Sequence, residues 1–132
     1  FEAKVLFDDP KTDIAIIKAK ITATPIELAD NLPKIGSDTC LISNSFGLNL
    51  SITCGIVSAV NRKNVGFNQI EDFIQTDAAS NPGSSGGALI DLNGALIGMM
   101  SGIFTKNTDT NAGVNFAIST DLIKKTIPSV QE

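Results

Sequence analysis

Short runs of apolar or β-branched residues recur along the chain, and Gly, Pro, Asn or Asp breaks almost every one before it reaches helical length. Such punctuation leaves little room for helices and is the pattern of an all-β barrel or sandwich. The runs at residues 3–7, 14–17, 25–28, 39–42, 50–60, 72–76, 88–90, 95–99 and 114–118 are expected strands. The run 14–17 is apolar on both faces and reads as a buried strand. Asn93-Gly94 marks a tight hairpin between 88–90 and 95–99, and residues 105–112 read as a polar loop. One helix is expected, over residues 121–127, capped by Ser119 or Thr120, with Asp121 at its positive end and Pro128 stopping it. Asn31, Pro33 and Gly36 cluster at the best candidate boundary, dividing the chain into residues 1–30 and 31–132.

The 132 residues, 42% apolar and 18% charged, suit one compact domain or a little more. A net charge of -4 argues against nucleic acid or an anionic membrane as the main partner. No apolar run is long enough for a membrane-spanning helix. Cys40 and Cys54 match no zinc spacing, and no metal or cofactor is expected. If 39–42 and 50–60 form one hairpin centred on Gly47, the two cysteines lie symmetrically about it. Directly opposed residues of an antiparallel pair approach closely enough for a disulfide at some positions, so a bond is the lesser reading and two buried free thiols are the default expectation. The chain opens on Phe1 and not Met, which reads as a cut end.

The chemistry concentrates in Asn81-Pro82-Gly83-Ser84-Ser85-Gly86-Gly87-Ala88-Leu89. Its plain reading is a Gly/Ser surface turn. Its functional reading is a serine presented on a tight turn while neighbouring N–H groups converge on one spot, a nucleophile beside an oxyanion hole. Ser85, directly before two glycines, is the better nucleophile, with Ser84 second. Other acidic residues have ordinary explanations: Asp13 as a turn cap, Asp77 as a backbone acceptor, and Asp8 and Asp9 as solvated turn residues. Met99 and Met100 read as core. No histidine occurs anywhere in the chain, so nothing in it serves as the usual base for a serine nucleophile.

From Gln75 through Leu89 the sequence QTDAASNPGSSGGAL resembles the nucleophile segment of the HtrA (Deg) family of trypsin-like serine proteases, with Ser80 in place of an Ile and Ser84 in place of an Asn. The segments starting at Asp9 (DPKTDIAIIK), Asn44 (NSFGL), Ile52 (ITCGIVSA), Asn93 (NGALIG) and Gly113 (GVNFAI) resemble the family's other motifs in the same order. The resemblance implies a trypsin-like double β-barrel, with residues 1–30 ending the N-terminal barrel and 31–132 forming the C-terminal barrel and terminal helix. It implies Ser85 as nucleophile, Asp13 as the residue orienting a catalytic histidine, and Gly83, Ser84 and Ser85 as the oxyanion turn. It places Ser80, Ile103, Val114, Asn115 and Phe116 around the substrate pocket, where Ile103 and Phe104 favour small or aliphatic side chains. The histidine would lie upstream of Phe1, so the chain alone is expected to be inactive. The implied function is a serine endopeptidase of protein quality control, acting on unfolded polypeptides through an acyl-enzyme, oligomeric, and sited in the periplasm, cell envelope or an equivalent compartment. The alternatives are a non-catalytic peptide-binding or chaperone-like module on the same fold, and a regulatory protease silent until its loops are ordered. Half a barrel would also leave apolar strand faces bare, at Val5, Leu6, Ile14 and Ile16, and so favour self-association or pairing with the missing strands.

Overall fold

A computed structural model describes residues 2–103 and 113–127. Strands β1 (Ala3–Asp9) and β2 (Ile14–Ala19) form a separate antiparallel hairpin. Strands β3 (Asp38–Ser43), β4 (Ser51–Arg62), β5 (Phe73–Thr76), β6 (Ala88–Ile90), β7 (Leu96–Ile103) and β8 (Asn115–Ser119) close into an antiparallel barrel in the order β3-β4-β5-β8-β7-β6. Closure comes from β3, which pairs with β4 on one side and β6 on the other, Leu41 facing Leu89. A closed barrel leaves no open edge for another chain to extend.

Alternation along each strand sorts two apolar clusters. Leu41, Val57, Ile74, Leu89, Ile97, Met100 and Ala117 fill one cluster. On β8 the neighbours Phe116 and Ile118 belong instead to a second cluster, with Phe73, Leu122 and the hairpin residue Ile14. This second cluster is what seats the β1–β2 hairpin on the barrel. The helix α1 (Thr120–Thr126) follows β8 directly. Its cap is Ser119, whose Oγ accepts the Leu122 N–H at 3.2 Å. Pro128 and residues 105–112 lie outside the described residues.

Several expectations are corrected. Residues 25–28 form no strand: Leu28 makes a single parallel bridge to Leu96, flanked by Leu96 N–H to Glu27 O (2.8 Å) and Ala29 N–H to Leu96 O (2.9 Å). Contact is confined to the first residue of β7, so no ladder extends. The run 14–17 is not buried on both faces, because its hairpin rests on the barrel at one end only. Ile14 is 4% exposed, although it was expected on a bare face, whereas Ile17 is 61% exposed. Val5 and Leu6 are exposed as expected. Cys40 and Cys54 are not free thiols but a disulfide, since the β3–β4 register sets them directly opposite with Cα atoms 4.0 Å apart. A 3₁₀ turn, Ser45–Gly47, sits at the tip of the same hairpin.

Candidate active site

The loop between β5 and β6 is railed along β4 before it turns. Asp77 Oδ1 accepts the Ile56 N–H at 2.8 Å, and Thr53 Oγ1 donates to Ala79 O at 2.6 Å. Thr76 Oγ1 donates to Ile56 O and accepts the Ala78 N–H. The turn then closes on itself, with Ser84 N–H to Asn81 O at 2.9 Å. It is clamped from outside by the β3–β4 tip, where Phe46 N–H donates to Pro82 O at 2.7 Å. Two glycines are needed here. Gly83 has φ +96°, and a Cβ on it would lie 2.6 Å from Asn44 O; one on Gly87 would lie 2.8 Å from Ile42 O. Only a residue without a side chain lets two backbones approach this closely.

Ser85 is exposed at the apex, and Ser84 beside it is 1% exposed. Among the described residues, the N–H groups of Gly83 and Ser85 have no acceptor, while Ser84 N–H is held by Asn81 O. Two free donors flank the exposed hydroxyl, and the middle residue of the turn faces inward. Ser84 therefore contributes its place in the turn and not a free N–H.

Asp13 reaches this site from the β1–β2 turn, where it holds φ +65° and its N–H donates to Asp9 O at 3.0 Å. It does not touch Ser85. Ser101 on β7 lies between them: its carbonyl accepts the Ser85 hydroxyl at 3.2 Å and its own hydroxyl donates to Asp13 Oδ2 at 3.0 Å. Sequence reasoning missed Ser101, whose one signal was a polar residue in the apolar run Gly98 to Ile103. Asp9, read as merely solvated, accepts Lys11 N–H and the Thr12 hydroxyl, which shapes the turn beneath Asp13.

A second loop braces that turn. Ile70 N–H donates to Lys11 O at 2.8 Å, and Asn68 Nδ2 to Thr12 O at 3.4 Å. Glu71 organises the loop: its carboxylate accepts N–H groups from Val65, Phe67 and Asn68 at 2.8–2.9 Å. Burial raises the Glu71 pKa, but these backbone donors outweigh it and hold the carboxyl below the ordinary glutamate range.

The pocket candidates are more dispersed. Ser80 and Asn115 are both buried, and Val114 is half-buried. Asn115 Nδ2 donates to Ala78 O at 2.8 Å, while its Oδ1 has no partner among the described residues. Phe116 packs against Phe67 (ring centres 5.7 Å apart) and Phe73 (5.5 Å), in the cluster beneath the Glu71 loop. Ile103 ends β7 opposite Asn115. Phe104 lies outside the described residues. An apolar groove of about 640 Å³ opens between the β1–β2 hairpin and the barrel, walled by Leu6, Ile17, Leu96, Met99 and Ile123, and reaches Gly86 and Gly87 just after Ser85. No group of His, Cys, Asp and Glu able to hold a metal occurs among the described residues.

Residues 1–99 match the model of the trypsin-like peptidase domain. The chain is 45% identical over 127 residues to the periplasmic serine endoprotease DegP of Salmonella typhimurium, covering 94% of this chain and 26% of that protein. It is 43% identical to DegP of Escherichia coli K12, covering 94% of this chain and 27% of that one. The chain thus spans about a quarter of the length of these curated relatives. The structure superimposes on the HtrA-type protease AlgW with decapeptide at a TM-score of 0.90 and 42% identity, covering 97% of this chain and 40% of that one. On the serine endoprotease of Yersinia pestis the TM-score is 0.81 at 35% identity, covering 97% and 43%.

Proposed function

Since the chain belongs to the trypsin-like peptidase family, and within it to the HtrA/DegP type, we propose that its parent protein is a serine endopeptidase with Ser85 as nucleophile. The observation that carries this reading is the continuous line from the exposed Ser85 hydroxyl through Ser101 to Asp13, beside two unengaged N–H groups. Ser85 Oγ attacks the scissile carbonyl, and its proton passes to an imidazole. The oxygen that becomes negative is received by the Gly83 and Ser85 N–H groups, each such donor supplying roughly 3–4 kcal/mol in the transition state. The leaving amine takes the proton back, and water then resolves the acyl-enzyme.

The chain holds no histidine, so the imidazole comes from residues outside it. Those residues complete a first barrel of which residues 1–30 are the last part, and they cover the groove walled by Leu6 and Ile17. Asp13 orients the imidazole and stabilises its charged form; the Ser101 hydroxyl on Oδ2 holds the carboxylate in place for it. Ser80, Ile103, Val114 and Asn115 are the residues we place around the substrate side chain before the cut, which is small or aliphatic, while Phe116 packs from the opposite face of β8 into the second core cluster. The relative AlgW has been solved with bound peptides, and the DegP relatives are periplasmic. We assign unfolded polypeptides as the substrate class, an extracytoplasmic site of action, and self-association of the protomer.

A fluorophosphonate probe tests the assignment. The full-length protein labels at Ser85, and Ser85→Ala removes both labelling and turnover, a loss on the order of a millionfold. The 132-residue chain alone does not label. A folded full-length protein that resists the probe would mean a peptide-binding module, not a protease.

A further inference from the structure

Three hydroxyls meet beneath the nucleophile turn, and none of them has a part in the chemistry described so far. Ser84 Oγ, on a residue 1% exposed, lies 2.8 Å from Ser45 Oγ and 3.3 Å from Ser43 Oγ. Ser43 and Ser45 are 3.3 Å apart, so the three close a triangle. Each hydroxyl owns one proton. The Ser43 hydroxyl donates to Ser84. Ser45 must therefore donate to Ser43, and Ser84 to Ser45, giving a ring in which every hydroxyl donates once and accepts once. Ser84 Oγ uses its remaining acceptor capacity on the Asn81 N–H at 3.1 Å. Hydrogen bonds running in one direction strengthen one another, and the low-dielectric interior strengthens them further.

We propose that this ring is a positioning device for the oxyanion turn, with Ser45 and Ser43 as positioning residues acting through Ser84. The proposal rests on the protease reading given above. Ser84 stands between Gly83 and Ser85, the two residues whose N–H groups are free. Holding its side chain from one side and the Asn81 N–H from the other sets the direction of both flanking peptide planes. The β3–β4 tip supplies the other half of the clamp, through Phe46 N–H on Pro82 O and Asn44 O against Gly83. Ser45 thus couples the tip of one hairpin to the catalytic turn without touching substrate.

The test uses the full-length protein and begins with Ser45→Ala, since Ser45 is only partly buried and its removal spares the barrel core. Loss of the acceptor for Ser84 is expected to lower kcat by about ten- to a hundredfold with KM little changed, as a misplaced catalytic group does. Active-site titration keeps this separate from a folding defect, because kcat is counted per titrated site. Ser45→Thr, which keeps the hydroxyl, restores the rate. In Ser45→Ala/Ser84→Ala the loss is no larger than in the worse single variant, since both break one ring. Amide exchange at Asn81, read without any activity, speeds up in Ser45→Ala. An unchanged kcat per site, a Thr variant as slow as the Ala variant, strict additivity, or unchanged Asn81 exchange each overturns the proposal. If the unmodified protein fails to take the fluorophosphonate probe, the protease reading falls and with it the effect on turnover, while Asn81 exchange still decides whether the ring holds the turn.

Discussion

The barrel and the β1–β2 hairpin are built from similar apolar runs, yet they differ in how each run is covered. Every barrel strand has two neighbours, and its inward residues meet others across the interior. The hairpin strands have only each other, and one residue, Ile14, joins a shared cluster. Both regions nevertheless feed one site: the barrel contributes Ser85 and Ser101, the hairpin Asp13. The lesson is that groups brought to one site need not share a core. Asp13 is kept in place by hydrogen bonds to its turn from the Glu71 loop and by the packing of one strand residue, its neighbour Ile14.

The sharpest contrast is in stability. Leu41 is wholly buried among barrel residues, so Leu41→Ala should destabilise the chain by about 2–5 kcal/mol, seen as an early urea midpoint. A smaller loss there would mean that the barrel interior relaxes as freely as the hairpin.

Next in size is the disulfide, which belongs to the barrel alone. Cys40 and Cys54 are 14 residues apart in sequence, and closing a loop of that length stabilises by about 3 kcal/mol in the chain-entropy picture. Reduction, or Cys40→Ser/Cys54→Ser, should lower the unfolding midpoint, and unfolding followed with and without a dithiol measures it. An unmoved midpoint would show that the β3–β4 register needs no covalent support.

These two predictions also mark how far the sequence alone could be read. Most barrel strands were legible because β-branched runs, Asn93-Gly94 and the Ser119 cap are local signals. The cysteine pairing was not, because it depends on which residue of β3 faces which residue of β4, a register set by the whole barrel. Residues 25–28 carried strand composition, but among the described residues their backbone pairs with Leu96 alone, and composition cannot see the absence of a pairing strand. At the site, the residues of the Gly/Ser turn were legible from their order. Ser101 and the Ser43–Ser45–Ser84 ring were not, since serines are common and only folding brings these together. Glu71 escaped notice because its partners are backbone N–H groups, which every residue has.

Glu71 supplies the third prediction, at the seam between the two regions. Its folded pKa is depressed by the backbone donors. A depressed carboxyl stabilises the fold above its unfolded pKa and loses that contribution as pH falls through the folded value. Glu71→Gln should therefore cost about 1–2 kcal/mol near neutral pH and flatten the acid limb of Tm against pH. A variant whose acid limb matches the parent's would show that the loop bracing Asp13 is held by Phe67 packing, and not by the carboxylate.

The smallest expected effect is on the hairpin's bare face. Val5 and Ile17 are paired in register and each is 61% exposed. Val5→Thr/Ile17→Thr keeps β-branched residues suited to a strand, so stability of the 132-residue chain should change by less than about 0.5 kcal/mol. Association should fall clearly in light scattering at high concentration, because the substituted face is the apolar one left uncovered. In the full-length protein the same pair of substitutions should cost far more, since each side chain buried by completing strands contributes roughly 1.5–3 kcal/mol. The difference between the two hosts measures how much of the hairpin's stability comes from residues outside this chain. Equal and negligible effects in both would mean that the face stays open in the complete protein, and that the β1–β2 hairpin holds Asp13 with no cover beyond Ile14 and the Glu71 loop.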